Sequence, residues 1–225
     1  MKILNETLNW NFNLEIENSY IVTIKNHADS EMMAKRCIES CMQVGQKSCI
    51  WDAFDGTGDS IIVPDHAQKC NWLHWLKLVN LNLTRQEVCC FLSHFSLWCR
   101  CIELDKPIVV LEHDAIMLKN YTHHNVFNAI VYLGSSEMAQ SNYWNPIPPH
   151  AQMCQNFRYI LRTHSYSIDP IVAKNLVAKA IEKGIYTAVD VFMKIQDFSI
   201  VCFGIFAADA KGKTTIPEHC ASSKI

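Results

Sequence analysis

The sequence predicts an α/β fold built on a mostly parallel central sheet, and three observations predict it. A β-branched and aromatic run, Tyr20-Ile21-Val22-Thr23-Ile24, is followed by a polar turn, a helical stretch and a second apolar run, Ser48-Cys49-Ile50-Trp51, which is the β-α-β opening of a parallel sheet. Pro107-Ile108-Val109-Val110-Leu111 is apolar without alternation, as strands covered on both faces are. Between these runs lies a long amphipathic segment with a helix-start signal.

The elements follow in chain order. After the first strand, Lys25-Asn26-His27 forms a loop and Asp29 to Val44 a helix. The second strand runs into the turn Asp55-Gly56-Thr57-Gly58-Asp59. Residues 60 to 83 carry Trp72 and Trp75 without a clean period and read as irregular structure at the sheet edge or as a short helix. Thr84-Arg85-Gln86-Glu87 has the form of a capping box, so a helix begins at Arg85. Val88, Phe91, Leu92, Phe95, Trp98, Cys99 and Ile102 give it an apolar face until Asp105-Lys106-Pro107 stops it. The buried strand that follows ends in Glu112-His113-Asp114, which sets carboxylates at a strand's carboxyl end.

Ala129 to Gly134 reads as another buried strand. The polar, aromatic stretch from Ser135 to Gln155, with Pro146, Pro148 and Pro149, predicts a long loop, about 134–157, over a functional site. Asp169-Pro170 opens a helix whose buried stripe ends at Gly184. A short apolar element around Val189–Met193 and a strand at Phe198–Phe206 complete one domain spanning 1–225.

Composition narrows the function. The 225 residues are 49% hydrophobic and 19% charged, which is globular rather than disordered or fibrous. Lys+Arg 20 against Asp+Glu 22, with no basic run, argues against nucleic acid as a partner. No apolar stretch approaches the roughly 18 residues of a membrane span, so no transmembrane segment is expected. The 11 cysteines are odd in number in a long chain that opens on no apolar leader, and a reducing cytoplasm is the expected location. No CxxC or HExxH spacing points to zinc.

The acidic strand end carries the chemistry. One-residue spacing on an extended strand would place Glu112 and Asp114 on one face. Carboxylate oxygens there suit Mg²⁺ or Mn²⁺ held against a substrate's phosphates, since ligands of open α/β sheets bind beyond the strands' carboxyl ends. Ordinary solvated acids after a strand are the alternative reading.

Leu83-Thr84-Arg85-Gln86-Glu87-Val88-Cys89-Cys90-Phe91-Leu92-Ser93-His94-Phe95-Ser96-Leu97-Trp98, followed by the strand and Glu112-His113-Asp114, resembles the "LTxxEixCxLSHxxxW … LEDD" signature of glycosyltransferase family 25. That family includes lipopolysaccharide and collagen galactosyltransferases. Tyr20–Asn26, Ile50–Gly56, Thr163–Ile168 and Ala188–Phe192 are similar to its opening strand, its "A-x-D-G" segment, its "THAYLIS" segment and its late "pxDvf" segment. Two departures stand out: His113 replaces an acid, and Lys25-Asn26-His27-Ala28-Asp29 replaces an arginine-rich loop.

The resemblance implies a GT-A-like nucleotide-binding sandwich that moves galactose or glucose from a UDP-sugar to a carbohydrate or other hydroxyl acceptor with inversion. It implies donor contacts at Thr23, Lys25, Asn26, Ser93, His94 and Glu112, with Asp114 holding Mn²⁺ or Mg²⁺ and His219 as a further metal ligand. Asp190 is implied as the base or an acceptor contact, the alternative being a helix N-cap. His164 and Tyr166 would line the acceptor side; His94 reads alternatively as a core histidine. Trp72, Trp75, Tyr143 and Trp144 either stack on sugars or serve packing. A catalytically silent sugar-binding protein on the same fold and a metal-dependent phosphoester hydrolase are the rival functions.

Overall fold

The structure, a computed structural model, describes residues 13–135, 152–153 and 163–209. The strands are β1 Leu14–Glu15, β2 Ser19–Thr23, β3 Ser48–Asp52, β4 Ile108–Glu112, β5 Ala115–Met117, β6 His123–His124, β7 Ile130–Ser135, β8 Gln152–Met153, β9 Ser165–Ile168 and β10 Ile200–Asp209. The helices are α1 Ala28–Val44, α2 Arg85–Leu104, α3 Pro170–Lys183 and α4 Val189–Phe192. Residues 60–83 hold two single turns of tighter helix, Asp65–Lys69 and Leu73–Trp75.

The central sheet runs β3-β2-β4-β9-β7-β10-β5, with β8 added to β10. It is mixed, not mostly parallel: β2/β3, β2/β4 and β7/β10 are parallel, while β4/β9, β7/β9, β5/β10 and β8/β10 are antiparallel. The reason is β9. It inserts between β4 and β7 in the reverse direction, although β2, β3, β4, β7 and β10 all point one way. A strand's own residues encode burial and alternation, not direction, so the β-α-β opening does not fix the direction of the strands beyond it.

Alternation along the buried strands divides the core. Tyr20, Val22, Ile108, Val110, Tyr132, Tyr166 and Ile168 pack with α2, α3 and α4 on one face. Ile21, Val109, Leu111, Val131 and Leu133 pack with α1 on the other. The period of two that defines a pleated strand thus produces three layers from one sheet.

The helix ends follow their sequence signals. Glu87 N–H donates to Thr84 Oγ1 at 3.2 Å and Thr84 N–H to Glu87 Oε2 at 2.8 Å, which is the capping box that starts α2 at Arg85. The end of β3 and the residues after it lie on this helix: Trp51 Nε1–H donates to Ser96 Oγ at 3.0 Å, and Ser93 Oγ accepts Phe54 N–H at 2.9 Å. Gly56 fits there because a Cβ would sit 2.9 Å from both Arg85 O and Cys89 Sγ.

No helix among the described residues is long and apolar enough to cross a membrane. Of the described cysteines, eight are free thiols and Cys202 is disulfide-bonded.

Asp169 caps α3 and reaches further. Its Oδ1 accepts the N–H groups of Ile171 and Val172 at 2.8 and 2.9 Å, and its Oδ2 accepts Asn128 N–H at 2.6 Å and lies 3.5 Å from His124 Nε2. Burial works to raise its pKa, but His124 and the amide donors outweigh burial and hold it below the usual aspartate range. A carboxylate so depressed stabilises the fold above its unfolded pKa and loses that contribution as pH falls toward the folded value. Asp169→Ala should lower unfolding free energy at pH 7 by about 2–4 kcal/mol, from loss of the cap and of a buried anion's partners. In urea titrations its deficit against the unsubstituted protein should shrink below about pH 4. A deficit unchanged from pH 7 to 3 would show that the charge contributes nothing.

Candidate active site

Because β2, β3 and β4 are parallel, their carboxyl ends lie together at one end of the sheet. Thr23, Asp52 and Glu112 terminate them. Because β9 is antiparallel, its amino end arrives at the same place and delivers Thr163 and His164: Glu112 N–H donates to His164 O at 2.9 Å. The mixed topology therefore builds the site.

Glu112 continues the face of Ile108 and Val110, so its carboxylate turns toward α2. There Oε1 accepts the Thr163 hydroxyl at 2.6 Å and stands 3.4 Å from His94 Nε2. Burial favours the protonated form, but His94 and Thr163, with His113 beyond them, outweigh it and hold the Glu112 pKa well below the carboxylate range. Glu112 is an anion at neutral pH.

His113, one residue on, turns to the opposite face. Its Nδ1 lies 3.1 Å from Ser30 Oγ in the first turn of α1, and Ser30 Oγ also accepts Ile24 N–H at 2.9 Å. Burial lowers the His113 pKa, so the neutral ring is favoured. Asp114 stands in the turn between β4 and β5, half-buried. The strand ends at Glu112, so the extended-chain argument that Glu112 and Asp114 share a face does not reach Asp114.

The other expected residues divide into those near this carboxylate and those holding the scaffold. His94 is fully buried on α2, with Nδ1 2.8 Å from the Tyr166 hydroxyl. Tyr166 is fully buried between β4 and β7, so it belongs to the core and not to an acceptor surface. His164 is 2% exposed, its ring against Tyr132 and pressed on the Gly134 backbone. Ser93 commits its hydroxyl to Cys89 O at 2.7 Å and to Phe54 N–H, which makes it an anchor for the segment after β3. Thr23 is buried and its hydroxyl donates to Ile21 O at 3.1 Å.

At the loop, Asn26 adopts a left-handed conformation, φ 61°, and its N–H donates to Glu31 Oε1 at 2.8 Å. Lys25 is exposed and 3.9 Å from Asp52. Asp190 lies in the first turn of α4, half-buried, with Oδ1 accepting Val191 N–H at 2.8 Å; the N-cap position belongs to Ala188, so the cap alternative fails. Trp72 and Trp75 are exposed. His219, Tyr143 and Trp144 lie outside the described residues, as does the expected loop apart from Gly134, Ser135, Gln152 and Met153.

Two participants were not singled out from the sequence. Thr163 stands at the head of the Thr163–Ile168 resemblance, next to His164. Cys90, in the apolar pattern of α2, lies one helical turn before His94 and shares its face. Burial raises its pKa, and the charges of Glu112, Asp190 and Asp114 act in the same direction. The ligand atoms of Cys90, His94 and Glu112 lie within 4.8 Å of one another. Thiol, imidazole and carboxylate form a softer set than Mn²⁺ prefers; the hard oxygen donor nearby is Asp114.

Residues 17–128 match the family model described as glycosyltransferase family 25 (LPS biosynthesis protein). Through this segment the chain belongs to glycosyltransferase family 25. The segment carries β2, the capped α2 and the Glu112-His113-Asp114 turn; Thr163, His164 and Asp190 lie beyond it. Family 25 membership supports glycosyltransferase activity, and with it a donor and an acceptor substrate. No curated protein matches the chain.

The fit of His164 against Gly134 is a test of this geometry. A Cβ at position 134 would lie 2.1 Å from His164 Nε2. Gly134→Ala should therefore destabilise the protein by about 1–3 kcal/mol through overpacking, measured by urea unfolding. A neutral substitution would mean that the imidazole is free to rotate aside.

Proposed function

We propose that this protein is a GT-A-like glycosyltransferase that moves a hexose, galactose or glucose, from a UDP-sugar to a carbohydrate or other hydroxyl acceptor with inversion. The observation that carries the reading is the Glu112 carboxylate at the carboxyl end of β4, inside the family 25 segment, where it accepts the Thr163 hydroxyl and stands 3.4 Å from His94 Nε2, with Asp114 in the turn that follows.

The roles follow from chemistry and position. Lys25 and Asn26, at the turn between β2 and α1, face the donor's diphosphate. The start of α1 is poorly suited to that task by itself, because Asp29 and Glu31 in its first turn oppose a phosphate. Lys25 and a cation must supply the positive charge. Asp114 is the carboxylate to hold Mn²⁺ or Mg²⁺, with His219 a further ligand, and such an ion when bound neutralises charge on the departing nucleotide. Glu112 accepts from a donor hydroxyl, ordered by His94 and Thr163. Asp190 takes the proton of the acceptor hydroxyl as it attacks, since inversion needs one base on the acceptor side. The His164 side of the cleft faces the acceptor; the buried Tyr166 acts only through His94.

The test is sugar transfer from UDP-galactose or UDP-glucose across a panel of glycan acceptors, with Mn²⁺ present. Asp114→Ala should reduce turnover by about 10²-fold or more, the scale of losing one electrostatic element of the transition state. Turnover unchanged in Asp114→Ala would remove the metal role. Calorimetric binding of the UDP-sugar with no transfer and no donor hydrolysis would establish a silent sugar-binding protein in place of an enzyme.

A further inference from the structure

His94 meets different chemistry at its two ring nitrogens, and the difference fixes where its proton sits. Nδ1 lies 2.8 Å from the hydroxyl of Tyr166, whose oxygen also accepts the indole N–H of Trp98 at 2.9 Å. Indole nitrogen can only donate, so the phenol oxygen commits one lone pair to Trp98. Tyr166 is 0% exposed, and its own hydroxyl hydrogen needs an acceptor. Among the described residues the remaining partner of that hydroxyl is His94 Nδ1. Nδ1 is therefore the acceptor, and the hydrogen of the neutral imidazole lies on Nε2. Nε2 is buried, makes no formed hydrogen bond among the described residues, and stands 3.4 Å from Glu112 Oε1.

We infer that Trp98 and Tyr166 are positioning residues that lock His94 in its Nε2–H tautomer, so that an N–H, and not a lone pair, is turned toward Glu112. The inference rests on the reading of Glu112 as a donor-site carboxylate and extends it inward by two residues. It has two chemical consequences. The Cys90–His94–Glu112 group is disarmed as a metal site, because coordination by Nε2 would require moving its hydrogen to Nδ1 and displacing the Tyr166 hydrogen from its acceptor. Glu112 keeps Oε1 engaged by Thr163 and His94, which leaves Oε2 as the oxygen for a donor hydroxyl.

The tautomer is directly measurable. In full-length protein carrying ¹⁵N-labelled histidine, two-bond proton–nitrogen correlation, with His94 identified by comparison with His94→Gln, should show a neutral Nε2–H ring at pH 7.5. The signal should be unmoved by equimolar Zn²⁺. An Nδ1–H ring, an imidazolium, or a Zn²⁺-dependent shift of Nε2 would overturn the inference. A second arm uses amide mimics: the glutamine amide of His94→Gln reaches the Nε2 position, and the asparagine amide of His94→Asn reaches only Nδ1. UDP-galactose affinity should stay within about threefold in His94→Gln and fall about tenfold or more in His94→Asn, the scale of one charge-assisted hydrogen bond. Equal loss in both variants would show that no donor at Nε2 is needed. If the protein binds no UDP-galactose at all, the glycosyltransferase reading falls, while the nitrogen spectrum still decides the tautomer on its own.

Discussion

The contact on which the site depends is the meeting at Glu112 Oε1 of the Thr163 hydroxyl, hydrogen-bonded at 2.6 Å, and the His94 ring, whose Nε2 stands 3.4 Å away. Thr163 comes from the chain entering β9, His94 from the middle of α2, and the carboxylate from the end of β4. Three elements distant in sequence meet at one oxygen. The contact explains how a carboxylate stays ionised where burial opposes charge: its neighbours give more to the anion than desolvation takes from it. It also accounts for the direction of β9, since a parallel strand in that slot would carry Thr163 and His164 to the far end of the sheet.

Behind that oxygen the polar chain continues into the core through His94, Tyr166 and Trp98. A buried polar chain is tolerated when each member has a partner, and here aromatic packing fixes the partners in place. Trp98 meets Phe91 edge-on and stacks with Phe192 of α4, with ring centroids 5.7 and 5.8 Å apart. The element bearing Asp190 is thus packed on the same aromatic group that holds the His94 side, so the acids expected to face donor and acceptor share one rigid support.

Much of the scaffold was legible in the sequence. Thr84 and Glu87 marked the start of α2, Asp169-Pro170 and Gly184 bracketed α3, and the unbroken apolar run 108–111 identified a strand covered on both faces. These signals are local, and local rules suffice for them. What depended on strand direction was not legible. The reversal of β9 has no signature in Ser165–Ile168, and without it neither the link from Thr163 to Glu112 nor the central position of Tyr166 can be derived. Ser93 and Thr23 were polar residues in suggestive places whose hydroxyls turned out to be consumed by backbone partners. Cys90 was legible in principle, since its spacing from His94 is one helical turn, but a thiol in an apolar pattern gives no sign of what faces it.

The chain places an imidazole where the family signature often has an acid, and so spares Glu112 a second carboxylate on the next residue. In exchange the sheet acquires a mechanical linkage. Glu112 grips α2 on one face while His113 grips α1 on the other, and a single planar peptide unit joins the two grips. The helix layers on opposite sides of the sheet thus meet adjacent residues of the same chain at the carboxyl end of β4.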